Sequence, residues 1–201
     1  MFRLWLIRHG QTEGNRYHRY IGRQTDEALC PEGIQELEKN RKDYPLTAQR
    51  LFVSPMLRAR QTAQILFPGR EVCVVEELSE CDFGDFENKN YLELAGNADY
   101  QRWIDSGGMI PFPGGESREA FRVRTEKGFE RIIQECLKDH TESAAIVLHG
   151  GNIMNLMESL CTEKRTYYDW HVKNGAGYEV LWSPDGGTHT SGTLKLCGNW
   201  P

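Results

Sequence analysis

The sequence predicts an α/β protein, a three-layer α/β/α sandwich around a mostly parallel central sheet. Three observations carry this. Short continuous apolar runs at residues 4–7, 51–53 and 144–148 have the pattern of strands buried on both faces. Helical segments separate the early strands, which gives the strand–helix–strand rhythm of a parallel sheet. A chain of 201 residues with 39% hydrophobic and 26% charged residues has the size and composition of a single globular domain over 1–201.

The elements follow in order. Residues 4–7 form the first strand, and residues 11–16 a short helix or turn. The polar stretch 17–26 reads as a loop. Pro31 opens a helix with Ile34, Leu37 and Arg41 at helical spacing, proline being favourable in a first turn. This helix ends before Pro45. After the strand at 51–53, Ser54 and Pro55 start a helix that runs to Leu66 and closes at Pro68 and Gly69. Residues 71–75 read as a third strand. Ser117 is an N-cap for a long helix to Leu137, with Phe121, Phe129, Ile132, Ile133 and Cys136 on one stripe. A strand at 144–148 and a helix at 152–160 follow. Two β-like runs at 178–182 and 193–196, around the turn at 184–187, suggest a hairpin at a sheet edge. Residues 85–113 interrupt this rhythm as an irregular helical insertion, suited to cap a site. Its aromatics Tyr91, Trp103 and Phe112 fit either stacking on a base or packing as cap core.

The first strand ends at Arg8, His9 and Gly10, where open α/β sheets bind ligands. A neutral imidazole is a nucleophile at pH 7. A guanidinium has a planar fork of donors that matches phosphate oxygens. Together they suit attack on a phosphoryl group through a phosphohistidine. The pair alone also fits a satisfied histidine beside a surface charge.

The wider sequence bears on that choice. Leu6-Ile7-Arg8-His9-Gly10-Gln11-Thr12-Glu13 resembles the signature of the histidine phosphatase superfamily, the phosphoglycerate mutase-like fold. Four more segments match in the same order. They are Ser54-Pro55-Met56-Leu57-Arg58-Ala59-Arg60-Gln61-Thr62-Ala63, then Leu78-Ser79-Glu80 with Phe83-Gly84, then Pro113-Gly114-Gly115-Glu116-Ser117, and Leu148-His149-Gly150-Gly151. The resemblance spans about residues 2 to 160.

It implies a set of roles. His9 is the nucleophile, and Arg8 and Arg58 converge on the phosphate. His149 is a second phosphate ligand, and Glu80 protonates the leaving oxygen. Asp82, Asp85 and Glu87 are rivals for that last role. Gln11 and Asn15 offer neutral donors to phosphate oxygens, and Gly150 opens a helix N-terminus suited to an anion. Glu13 is expected to orient Arg8 or His9, and Arg124 to brace the loops beneath the site. The sequence departs from an aromatic-Glu-Gly triplet at Phe86-Glu87-Asn88, where asparagine replaces the glycine.

The resemblance implies a phosphomonoesterase acting on a small phosphorylated metabolite. Its branch is closest to α-ribazole phosphatases and small-molecule phosphatases, which points to α-ribazole 5'-phosphate in cobalamin biosynthesis. Mutase-type phosphoryl transfer and phospholigand binding without turnover are the alternatives. No cofactor or metal is expected, since the histidines lack a His-Glu-x-x-His spacing and the six cysteines lack a Cys-x-x-Cys pair. The cysteines read as free thiols of a reducing compartment. A net charge of -5 gives no attraction to nucleic acid or membrane surfaces. No apolar run approaches the roughly 20 residues of a membrane helix. The N-terminus lacks the long apolar region of a signal peptide. A cytoplasmic enzyme, monomer or homodimer, is expected.

Overall fold

The computed structural model describes residues 1–44, 47–186 and 191–200. It contains one six-stranded sheet in the order β3-β2-β4-β1-β5-β6. The strands are β1 (Phe2–Arg8), β2 (Arg50–Val53), β3 (Cys73–Val74), β4 (Ser143–Leu148), β5 (Gly177–Pro184) and β6 (Gly192–Trp200). β1 pairs in parallel with β4, β4 with β2, and β2 with β3, while β5 is antiparallel to both β1 and β6. The mostly parallel sandwich expected from the sequence is therefore present.

The strand pleat divides the core. Successive side chains point to opposite faces of a sheet. Leu4 and Leu6 of β1, with Ala144, Ile146 and Leu148 of β4, face one apolar cluster. Trp5 and Ile7, with Ala145 and Val147, face the other. On the first face lie α5 (Arg118–Lys138) and α6 (Gly150–Leu160). On the second lie α2 (Pro31–Asn40) and α3 (Leu57–Leu66). The continuous apolar runs of β1 and β4 thus reflect burial on both sides.

Several boundaries differ from the sequence reading. β3 holds only two residues, paired on one side with Phe52 and Val53. α6 begins at Gly150, two residues before the expected start. α2 ends at Asn40 and passes into a 3-10 turn over Arg41–Asp43. The β5–β6 hairpin is present, but only β6 is at the edge, because β5 lies directly against β1. The last residue of the expected turn, Gly187, lies outside the described residues. Ser117 caps α5, its Oγ accepting from the Ala120 N–H at 3.0 Å. No helix among the described residues is long and apolar enough to cross a membrane.

The insertion contains α4 (Ala98–Asp105) and several turns. Asn88 sits at φ +55. That left-handed conformation is the reason glycine suits this position, and asparagine tolerates it better than other side chains.

Candidate active site

The carboxyl ends of β1, β4 and β2 meet at one edge of the sheet. Arg8 pairs with Leu148, so the next residues, His9 and His149, leave adjacent strands together. The His9 N–H donates to the Leu148 carbonyl at 3.0 Å, and the two imidazole centroids are 5.1 Å apart. Arg58 reaches the same place from the first turn of α3, after β2.

His9 is almost fully buried, at 3% exposure. Its Nδ1 lies 2.7 Å from the Gly10 carbonyl. A carbonyl only accepts, so Nδ1 carries the proton and Nε2 keeps its lone pair. Nε2 has no hydrogen-bond partner among the described residues. Burial first, and then Arg58 and Arg8, hold His9 well below its ordinary pKa. It is therefore neutral at pH 7. Gly10 is fixed in turn by its N–H, which donates to Thr62 Oγ1 at 2.9 Å.

His149 is fully buried. Its Nε2 lies 2.7 Å from Ser54 Oγ, and its Nδ1 is buried without a partner. Burial, Arg58 and His9 hold its pKa well below the ordinary value.

The two arginines are unusual. Arg58 is fully buried and donates to the carbonyls of Thr25, Ile21 and Gly22. Arg8 donates to the Val172 carbonyl at 2.7 Å. Neither makes an ion pair with a carboxylate among the described residues, and the Nε of each is buried without a partner. A buried and a half-buried cation, each with a buried Nε that has no partner, are suited to an anion, since unpaired charge out of water is costly. Gly150 allows this, because a Cβ there would lie 3.3 Å from Arg8 Nε.

Glu80 lies across the site, 8% exposed. Its Oε1 accepts from the Cys81 N–H at 3.0 Å. Burial raises its pKa above the usual carboxylate value, against the pull of Arg58 and Arg8. Its rivals are otherwise engaged. Asp82 Oδ1 accepts from Gln24 Nε2 and the Gly84 N–H. Glu87 accepts from Gly22, Gln24, Thr25 and Phe83. Asp85 is exposed.

Arg124 braces the Glu80 loop. It pairs with Glu116 through Nε and Nη2, at 3.0 and 2.8 Å, and donates to the carbonyls of Glu77, Ser79 and Glu80. Arg124→Ala is expected to lower stability by about 2–4 kcal/mol, because it strands a largely buried carboxylate and three carbonyls. Urea unfolding of the variant measures this, and a loss below about 1 kcal/mol would mean that the loop holds itself.

Gln11 and Asn15 line a polar cavity of about 600 Å³ beside Arg8. The Asn15 Oδ1 is occupied, accepting from the Thr12 N–H and from Asn174 Nδ2. Glu13 departs from its expected place. It pairs with Arg16 at the surface, because the helix α1 (Glu13–Arg16) turns its first residue outward.

A second cavity, of about 260 Å³, opens on Glu80, Arg8 and Gly150. Tyr20, Phe83, Trp103 and Phe112 wall it. Trp103 stacks on Phe112 with centroids 5.0 Å apart, so these two are cap core and cavity wall at once. Tyr91 is 57% exposed and joins no ring contact. Sequence reasoning missed His171 and Asn174, which touch Arg8 and the His9–Gly10 backbone from the tail. No spacing signal marks them, since His171 lies 163 residues from Arg8. Ser54 and Thr62 lie within a matched segment and were findable there.

Comparison with known proteins accords with this geometry. Residues 4–192 match the family model of the histidine phosphatase superfamily (branch 1). The chain is 30% identical to the adenosylcobalamin/alpha-ribazole phosphatase of Salmonella typhimurium, over 96% of this chain and 95% of that one. The alpha-ribazole phosphatase structure from Shigella flexneri superposes with a TM-score of 0.80 at 25% identity, covering 97% of this chain and 95% of that one. The phosphoserine phosphatase of Entamoeba histolytica, in complex with 3-phosphoglyceric acid, gives 0.79 at 25% identity, covering 100% and 98%. This chain belongs to the histidine phosphatase superfamily, branch 1, and is a phosphatase of that family.

Proposed function

We propose that the protein hydrolyses a phosphate monoester in two displacements at His9. The observation that carries this reading is the pair of guanidiniums, buried Arg58 and half-buried Arg8, with no carboxylate partner among the described residues. A dianionic phosphoryl group matches their charge and their free Nε donors. His149 Nδ1, also buried and unpartnered, is a third contact. Gln11, Asn15 and the helix N-terminus at Gly150 complete the oxygen cradle.

In the first step His9 Nε2 forms a bond to phosphorus and the ester P–O bond breaks. Protonated Glu80 gives its proton to the departing alkoxide. In the second, water attacks the phosphohistidine while Glu80 takes a proton from it. The Nε2–P bond then breaks and inorganic phosphate leaves. Arg8 and Arg58 supply positive charge, and His149 Nδ1 a neutral donor, to the transferred oxygens throughout, so activity is expected to persist in EDTA.

The leaving alcohol enters the aromatic cavity beside Glu80. Its walls suit a ribose bearing a heteroaromatic base better than the ammonium and carboxylate of phosphoserine. α-Ribazole 5'-phosphate is the substrate of this description, and relatives named for it support the choice. The test is kcat/KM for α-ribazole 5'-phosphate against phosphoserine, 3-phosphoglycerate and p-nitrophenyl phosphate. An advantage of about 100-fold or more is expected, equal to roughly 2.7 kcal/mol of discrimination. Equal values for all four would discard the substrate and keep the chemistry. The same proposal places the enzyme in the cytoplasm, consistent with six free cysteines.

A further inference from the structure

A short strap from the tail grips Arg8. Its Nη1 donates to the Val172 carbonyl at 2.7 Å and lies 3.3 Å from His171 Nε2. The strap continues inward, where Asn174 Nδ2 donates to the His9 carbonyl at 3.2 Å. The Gly175 N–H reaches the carbonyls of Arg8 and His9, both at 3.1 Å. Tail and phosphate loop are therefore held together through both backbone and side chains. A guanidinium has donors only. Its contact with His171 is a hydrogen bond only while Nε2 presents a lone pair, with the imidazole neutral and its proton on Nδ1. His171 is exposed and stands where the aromatic and polar cavities meet.

We propose that His171 is a positioning residue, whose neutral imidazole holds the Arg8 guanidinium in place for the substrate phosphate and releases it when protonated. The inference rests on the reading of Arg8 as a phosphate ligand. Protonation turns the acceptor into a donor and sets an imidazolium against the guanidinium. The other charged groups around His171 are few. Across the aromatic cavity stand Glu80 and Arg118. Across the polar cavity stand His18, Arg19 and Glu36, with Lys173 next in the strap. Burial, and then Arg8, hold His171 below its ordinary pKa. The His171–Arg8 contact is thus made at neutral pH and lost in mild acid, while the Val172, Asn174 and Gly175 contacts remain.

Two variants test this. His171→Gln retains an acceptor near the Nε2 position and cannot titrate, whereas His171→Phe removes the acceptor. His171→Phe is expected to lose about tenfold in kcat/KM at neutral pH, and His171→Gln to stay near wild type. The wild-type to His171→Gln ratio of kcat/KM, measured from about pH 8 to about pH 5, is expected to fall as histidine protonates. Taking this ratio cancels the ionisation of the substrate itself. A flat ratio together with unchanged activity in His171→Phe would overturn the inference. Wild-type enzyme without His9-dependent hydrolysis would instead overturn the reading of the site on which it rests.

Discussion

Replacing His9 with alanine is expected to lower kcat by about 10^4-fold or more, because the step that forms the covalent bond loses its nucleophile. The side chain is well prepared for that role. The Gly10 carbonyl fixes the proton on Nδ1, and burial, helped by Arg58 and Arg8, keeps the ring neutral. The variant also serves as its own control for folding. Among the described residues His9 makes one side-chain hydrogen bond, to its neighbour Gly10, while the β1 ladder and the Gly10–Thr62 contact are untouched. Its Tm is therefore expected within about 5 °C of wild type. Rapid quenching of wild type with radiolabelled substrate is expected to give an acid-labile, base-stable label that His9→Ala lacks. A variant that keeps more than a tenth of the wild-type kcat would rule out His9 as the nucleophile.

The second large effect belongs to Glu80. Glu80→Gln keeps the size and the hydrogen bond from Cys81 but cannot give up a proton. Loss of a general acid costs typically about 10²–10⁴-fold. The full loss is expected with an alkyl phosphate such as α-ribazole 5'-phosphate. A smaller loss is expected with p-nitrophenyl phosphate, whose phenolate leaves without help. The pH profile follows from the two pKa shifts. kcat/KM rises as His9 loses its proton, below its ordinary range, and falls as Glu80 loses its own, above the usual carboxylate range. Glu80→Gln is expected to remove the alkaline limb while the acid limb remains. Equal losses for both substrates, with the limb intact, would pass the role to another acid.

How much of this was legible beforehand depended on sequence distance. β1 and β4 were readable because burial on both faces makes them continuously apolar. The short edge strand β3 was over-extended in the sequence reading, which included Glu71, Val72 and Val75 around Cys73–Val74; of these, Val75 still donates its N–H to the Val53 carbonyl. Arg8, His9, Arg58 and His149 each follow a strand or open a helix, so local pattern and motif together place them at one edge of the sheet. Glu80 could not be separated from Asp82, Asp85 and Glu87 by composition. Hydrogen bonds that occupy Asp82 and Glu87 come mostly from Gly22, Gln24 and Thr25, 58 to 65 residues away, which composition does not show. The cap aromatics carried two readings, and the structure packs Trp103 on Phe112 as cap core with both rings lining the cavity. The strap of His171 and Asn174 left no trace, because nothing local in the tail records a partner at the other end of the chain.

The most direct test of the two-displacement mechanism is the stereochemical course at phosphorus, followed with a phosphorothioate ester made chiral by sulfur and two oxygen isotopes and hydrolysed in water carrying the third. Each in-line attack inverts the configuration. Two attacks, by His9 Nε2 and then by water, predict chiral inorganic thiophosphate with overall retention. Inversion would mean that water attacks the ester directly, and would contradict a phosphohistidine at His9.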